Sequence, residues 1–514
     1  MQFLWNVHNL FTKNAIIALA FGKNKICDTM FNTNIENNIT VLDKLTRANE
    51  NFDIIKRVIR INKRKSVLYF IDGLLKEAIM EKMMEFFYGI TDDSFFTNTE
   101  TFVENCVPYI EVDKSKNTNT VVTALLSGIA ILTVDGLDEI ILIDARSYPQ
   151  RETAEPKNDK VLRGSMDAFT EIFVQNCVLI RRRIRDKNLT IKALQAGDKS
   201  KTDIALIYMD NKVDKNLLKN IEQKIKNITT QELSMTQQGF VEALIKSKWI
   251  NPFPKVKYSE RPDTTSANIL KGNIAIIVDN SPSSIIIPTS IFDLMEEADD
   301  YYFPPVTGTY LKISRYIVSL LSIFITPLWL LANRYPDFVP TFFQFTIVSE
   351  PQKIPIFWQL ILIEIAIDGL RLASINTPEM LSTTLGIIGG IALSEFAIDA
   401  GFASTETILY MAFVTIANYS QPSQELSYAI KFLRILLLVA TEIFSILGLI
   451  GGVILIIILL YSNKTLSGKS YLYPLIPFKG KELLKKFVRI RKWLIDFFGI
   501  LTYNKNRINS SYFY

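Results

Sequence analysis

The chain has 514 residues, 48% of them hydrophobic, with a net charge of only +5. It is too long for one compact domain and too apolar for an ordinary pair of soluble domains, so a soluble part joined to a membrane part is expected. Cys27, Cys106 and Cys177 lie far apart without metal-ligand spacing, and the single histidine, His8, stands near the start, which argues against a zinc or haem site. With no Gly-rich phosphate loop and no histidine placed for a hydrolase triad, neither an enzyme active site nor a cofactor is expected.

In chain order, residues 1–45 form a variable lead-in. Lys13 and the apolar stretch 15–22 faintly recapitulate a secretory signal, but the apolar core is short and is read as a packing or interfacial segment. Asn32, Asn34, Asn37 and Asn38 then suggest loose order. Residues 46–300 read as a cytosolic α/β domain with two subdomains, in keeping with unpaired cysteines. Short β-rich runs at 66–72, 139–144, 203–208 and 273–279 alternate with helical patterns, which gives layered α/β units.

Residues 165–185 show a helical period, with Met166, Phe169, Ile172, Phe173, Cys177, Ile180 and Ile184 on one side. The helix would end in Arg181, Arg182, Arg183 and Arg185. These cations complement the negative end of the helix dipole, or they form a docking face for an acidic partner or an anionic lipid surface. The prolines of 251–254 and 259–262 mark a hinge. Glu296, Glu297, Asp299 and Asp300 before Tyr301 and Tyr302 suit the approach to a membrane interface.

Residues 301–465 read as an all-α polytopic membrane domain. Apolar segments are expected at 313–333, 356–375, 381–400, 404–418 and 430–461. The fourth is short, and the piece at 338–348 is apolar but broken by Pro340 and Pro351, so re-entrant pieces are expected. A basic tail, residues 466–514, belongs in the cytosol by the positive-inside rule. With both ends inside, the number of full spans is even, four or six.

Ionisable side chains inside such segments are costly and mark function or internal pairing. Glu364, Asp368 and Arg371 follow i, i+4, i+7 spacing and share one helical face; Glu395 and Asp399 repeat the i, i+4 step on the next segment. Arg434 and Glu442 complete the set. The two acidic stripes would face each other. Gly386, Gly389 and Gly390, like Gly448, Gly451 and Gly452, offer small faces for helix contact. One reading pairs Asp368 or Glu364 with Arg371 or Arg434 as architecture. The other makes the acids a charge path, which becomes rings favouring cations if several subunits surround a pore. The tail at 479–498 alternates bases with apolar residues, as does a helix lying on an anionic leaflet; its place after a span favours lipid over nucleic acid.

A family resemblance is carried by Asp144-Ala-Arg146 with Glu155-Pro156, Val161-Leu-Arg-Gly164, Phe169-Thr-Glu171, Leu179-Ile-Arg-Arg-Arg183, Ser200-Lys-Thr-Asp203, Asn251-Pro-Phe-Pro254 and Glu260-Arg-Pro-Asp263. Over residues 45–480 the chain resembles the A-subunit family of bacterial spore germination proteins, the GerA type. Thr326-Pro-Leu-Trp329, Ile354-Pro-Ile-Phe357, Asp368-Gly-Leu-Arg371, Leu393-Ser-Glu-Phe-Ala397 and Thr407-Ile-Leu-Tyr410 are most similar to its stage V sporulation protein AF branch. The resemblance implies a cytosol-facing two-subdomain region, residence in the spore inner membrane, partners among other germination or sporulation membrane proteins, and a homo-oligomeric channel that releases monovalent cations. A non-conducting scaffold or signalling subunit, or a component of dipicolinate transport, are the alternatives; the excess of acids argues against the last. The resemblance carries over no catalytic residue.

Overall fold

The computed structural model describes residues 30–148, 161–228, 236–245, 251–349 and 352–489. The apolar stretch at 15–22, His8, Cys27, Glu155-Pro156 and the tail from residue 490 lie outside the described residues.

The soluble region is one plan used twice. In the first unit, helix α1 (Ile35–Thr46) leads into hairpin β1 (Ile54–Ile61) and β2 (Arg64–Ile71). Helices α2 (Glu77–Gly89) and α3 (Thr99–Cys106), strand β3 (Val112–Ser115) and helix α4 (Thr118–Leu126) follow, and hairpin β4 (Ala130–Val134) and β5 (Ile140–Ile143) closes the unit. The second unit repeats that order with α5 (Phe173–Arg183), β6 (Leu189–Ala196), β7 (Thr202–Met209), α6 (Lys215–Lys226) and α7 (Thr236–Leu244). It continues with β8 (Lys257–Ser259), α8 (Pro262–Lys271), β9 (Ile274–Val278) and β10 (Ser284–Ile287). Both sheets are antiparallel, in the orders β1-β2-β4-β5-β3 and β6-β7-β9-β10-β8.

Helices cover both faces of each sheet. Met83, Phe87 and Phe102 pack on one face of the first, and Ile39, Leu42, Val121 and Leu125 on the other. Leu218, Ile221 and Phe240 sandwich the second sheet against Cys177, Ile180 and Ile269. Strands such as β9, buried at every position, therefore read as unbroken apolar runs. Edge strand β1 instead exposes Lys56, Arg57 and Arg60, charges that discourage pairing at an open edge.

Two local expectations are corrected. The Asn-rich lead-in is ordered from Asn34 onward: the Asn34 side chain accepts from the backbone N–H of Glu36 and Asn37, caps α1 and starts the first unit's helical layer. The helix expected at 165–185 spans only Phe173–Arg183. Before it, the Phe169 N–H donates to Glu260 O at 2.8 Å and the Thr170 N–H to Asn176 Oδ1 at 2.8 Å, bonds that hold the chain extended.

Short helices α9 (Ile291–Leu294) and α10 (Asp299–Tyr302) lead to α11 (Pro305–Arg334), α12 (Ile356–Asn376), α13 (Glu379–Ile391), a π turn at Ala392–Phe396, α14 (Ala397–Asp399), α15 (Thr405–Tyr419), α16 (Gln424–Ser462) and α17 (Gly480–Phe487). Among the described residues, three helical stretches, Pro305–Arg334, Leu381–Asp399 and Gln424–Ser462, are long and apolar enough to cross a bilayer. The piece at 338–348 forms two 3-10 turns, held by Trp329 Nε1 donating to Thr346 O at 2.8 Å.

Helix α16 doubles back. At Ser445 the backbone leaves helical geometry (φ 54°, ψ −130°), and a Cβ on Gly452 would lie 2.6 Å from Leu437 Cδ2. In a straight helix those positions are roughly 22 Å apart. Gly448 likewise meets the Ala440 carbonyl. The fifth apolar segment is thus a hairpin of arms 424–444 and 446–462, and small residues let the arms touch.

Candidate functional site

The membrane charges separate into two sets. Glu364 and Asp368, one turn apart on α12, face Lys431 and Arg434, one turn apart on the first arm of α16. Arg434 Nη2 donates to Glu364 Oε2 at 2.6 Å, Lys431 Nζ lies 3.0 Å from Glu364 Oε1, and Lys431 also pairs with Asp368. The Arg434 side chain is fully buried and that of Glu364 only 8% exposed. Two acids against two bases make the cluster neutral, and neutrality is what allows ions this deep to persist.

Lys431 is absent from the charges singled out by sequence, because it sits at the start of the expected segment and passes for an interfacial residue. Its signal was the spacing Lys431-x-x-Arg434, the one-turn match to Glu364 and Asp368. Arg371 takes no part: its guanidinium lies over the rings of Tyr419 at 5.3 Å and Tyr428 at 4.9 Å. The expected alternative pairing of Arg371 with an acid is therefore replaced by ring stacking.

Glu395 and Asp399 form the other set. Glu395 sits in the π turn, both residues are exposed, and neither has an ion pair or hydrogen-bonded side chain among the described residues. None of the 381–399 apolar window is buried within the chain. The two acidic stripes do not face each other: Glu364 and Asp368 turn to α16, and α13 meets α12 through Gly389 on Leu370. A Cβ added at Gly386, Gly390 or Gly451 would meet no neighbouring element within 4 Å among the described residues, so of the six only Gly389, Gly448 and Gly452 serve as the expected contact faces. Glu442 enters through its backbone, whose carbonyl accepts from Arg334 Nη1 at 2.8 Å.

A third cluster joins the soluble and membrane parts. Lys312 and Arg315, whose charges hid the start of α11 from an apolar scan, are buried against the acids that precede it. Arg315 Nη1 lies 3.0 Å from Asp300 Oδ2, and Arg315 also pairs with Glu297. Glu296 lies 3.6 Å from Lys312 and 3.3 Å from Lys271 of the second soluble unit, and accepts from the Tyr301 hydroxyl at 2.6 Å. Burial alone would favour neutral Glu296, but Lys271, Lys486, Lys312 and Lys257 outweigh it and hold the carboxyl well below its usual range.

Helix α17 closes this joint rather than lying free. Lys486 pairs with Asp293, and Phe487 packs on Tyr316 with centroids 4.6 Å apart. These residues of the acidic approach and the tail are thus spent on one another, not on lipid. Arg261 reaches the same place, pairing with Asp263 at 2.7 Å and donating to Ser165 O at 2.7 Å, while Tyr302 bonds Asp263 and packs over Gly164.

The four arginines of α5 also divide. Arg181 is 0% exposed: its Nε donates to Asp53 Oδ2 at 2.7 Å and its Nη2 to Asn51 Oδ1 at 3.1 Å, which locks the second unit to the first. It cannot belong to a docking face. Arg182 stacks on Tyr148 at 4.6 Å, Arg183 bonds Ser165 Oγ at 2.6 Å and Asp167 Oδ2 at 2.9 Å, and Arg185 is exposed.

The sequence profile of the Bacillus/Clostridium GerA spore germination protein family matches residues 42–496. The chain belongs to the GerA family. This GerA-family chain is 36% identical over 458 residues to stage V sporulation protein AF of Bacillus subtilis (strain 168), covering 89% of the chain and 92% of that protein. It is 27% identical to spore germination protein KA of the same organism, with 86% and 82% covered. A crystal structure of the N-terminal domain of the A subunit of the Bacillus megaterium spore germinant receptor GerK3 aligns with 26% identity and a TM-score of 0.39, over 50% of the GerA-family chain and 96% of that domain. The motifs at 161–164 and 260–263 are those that meet at the joint beneath α11.

Proposed function

We propose that the chain is a multi-pass subunit of the spore inner membrane, soluble units and tail in the cytosol, that forms or modulates a channel for monovalent cations in germination. On this reading it is not an enzyme. It works as a homo-oligomer together with other germination or sporulation membrane proteins, a setting that the names of its relatives support.

The observation that carries the reading is the segment 381–399, unburied and bearing unpaired Glu395 and Asp399. Carboxylates held against lipid cost several kcal/mol. A ring of copies around a wet axis relieves that cost, and rings of acids favour cations. Full-length protein in liposomes, with any partner it needs, is expected to pass potassium, and Glu395→Gln with Asp399→Asn to reduce the flux and its preference for cations. Unchanged flux and selectivity in that variant would remove these acids from the mechanism.

A second reading, a non-conducting scaffold, draws on the neutral cluster of Glu364, Asp368, Lys431 and Arg434. The variant Glu395→Gln with Asp399→Asn, which leaves that cluster intact, separates the two. A scaffold keeps its fold and partner binding, and no flux is gained or lost in any variant.

A further inference from the structure

We propose that a cleft between the second soluble unit and the chain leaving the last membrane helix binds the phosphate of an anionic phospholipid. The cleft, about 720 Å³, is lined by Lys224, Lys255, Lys464, Asn227 and Thr465 over an apolar floor, and no carboxylate lines it. The three lysines come from separate elements: the last turn of α6, the segment before β8, and the second residue beyond α16. Lys224 Nζ donates to Leu244 O at 3.3 Å and so offsets the negative helix ends that gather there. Lys255 and Lys464 have no hydrogen bond or ion pair among the described residues.

Depth selects lipid over a dissolved anion. The arm 446–462 is apolar along its length, so Lys464 emerges where hydrocarbon gives way to headgroups. The loop that carries it is closed on itself by the Thr465 N–H donating to Lys469 O at 2.9 Å and is fastened to the soluble unit, where the Tyr471 hydroxyl donates to Pro254 O at 2.8 Å and Leu466 packs on the unit's core. Lys464 and Lys255 are therefore held facing one space at headgroup height. A phosphate anchored in the leaflet is presented there continuously, and each base near an anionic surface strengthens binding about fivefold. A bound headgroup would tie the second soluble unit to the bilayer beside the helical hairpin.

The test uses the full chain in nanodiscs of phosphatidylcholine alone or with phosphatidylglycerol, with amine acetylation at each lysine read by mass spectrometry. Lys255 and Lys464 are expected to be acetylated about fivefold more slowly in the mixed bilayer, with Lys481 and Lys485 of α17 changing less. Inorganic phosphate added to phosphatidylcholine discs should not reproduce that protection. Lys255→Gln with Lys464→Gln should lower the phosphatidylglycerol retained per chain, while Lys481→Gln with Lys485→Gln should not. Equal acetylation in the two bilayers, or equal protection by dissolved phosphate, overturns the proposal on unmodified protein, whether or not the variant folds and independently of any ion flux.

Discussion

Helices α12 and α13–α14 carry the same sequence device, two acids one turn apart in an apolar segment, and the fold gives them opposite surroundings. Glu364 and Asp368 meet Lys431 and Arg434 on a neighbouring helix, whereas Glu395 and Asp399 have no ion pair or side-chain hydrogen bond among the described residues. Spacing sets which face of a helix a charge occupies; the neighbour decides whether that charge holds helices together or is left for solvent, ions or another subunit. The first pair reads as architecture and the second carries the functional proposal.

The largest break in this comparison is Arg434→Met. It leaves Lys431 as the one base facing both Glu364 and Asp368, so one buried carboxylate charge is uncompensated, and losses of about 3–5 kcal/mol accompany such broken buried pairs. A thermal midpoint far below that of the unmodified protein in detergent is expected, with much of the loss recovered when Glu364→Leu is added. A double variant as unstable as the single would show that the pair is not the unit of stability. In the soluble region, Arg181→Met should cost a comparable amount by leaving Asp53 unpaired, measured by protease resistance of the two units.

Phe487→Ala tests whether the tail belongs to the joint. Loss of a half-buried aromatic contact on Tyr316 should cost roughly 1–2 kcal/mol, seen as faster hydrogen exchange at residues 480–487 and 291–302. Exchange that stays unchanged would put α17 elsewhere in the membrane-bound protein.

Glu296 supplies a pH test of the same joint. Its folded pKa is depressed, so its stabilisation is complete above the unfolded value, about 4.3, and is lost as pH falls through the lower folded value. The gap in thermal midpoint between unmodified protein and Glu296→Gln should be wide at pH 7 and close progressively below about pH 4.3. A gap that is constant with pH would assign the effect to shape rather than charge. The smallest effect is expected at Glu395: Glu395→Gln should change stability by less than about 0.5 kcal/mol, as exposed substitutions do. A large destabilisation would move Glu395 to the side of the paired cluster.

What could be read in advance follows burial only in part. Strands β2, β5, β7 and β9 sit inside their sheets with both faces covered and were visible as apolar runs; edge strand β1 was not, because exposed Lys56, Arg57 and Arg60 interrupt its pattern, nor was β6, where Lys192 and Gln195 do so, and the equally buried β4 and β10 were missed as well. The repeated strand order escaped notice for a related reason: sheet order arises from pairings between distant segments, and no local period records it. All five apolar segments became helices. The reversal at Ser445 was hidden because an uninterrupted apolar run looks the same whether it continues or folds back.

The sequence by itself determined that a two-part chain exists, where its helices lie in the membrane region, and which acids share a helical face, since length, apolar content and the helical period are local properties of a polypeptide. Only the tertiary structure decided that Lys431 completes a neutral cluster, that Arg181 is buried rather than offered to a partner, and that Glu296 is held by lysines from four separate elements. An ion's partner is chosen by distance in space, and those partners lie tens to hundreds of residues away along the chain.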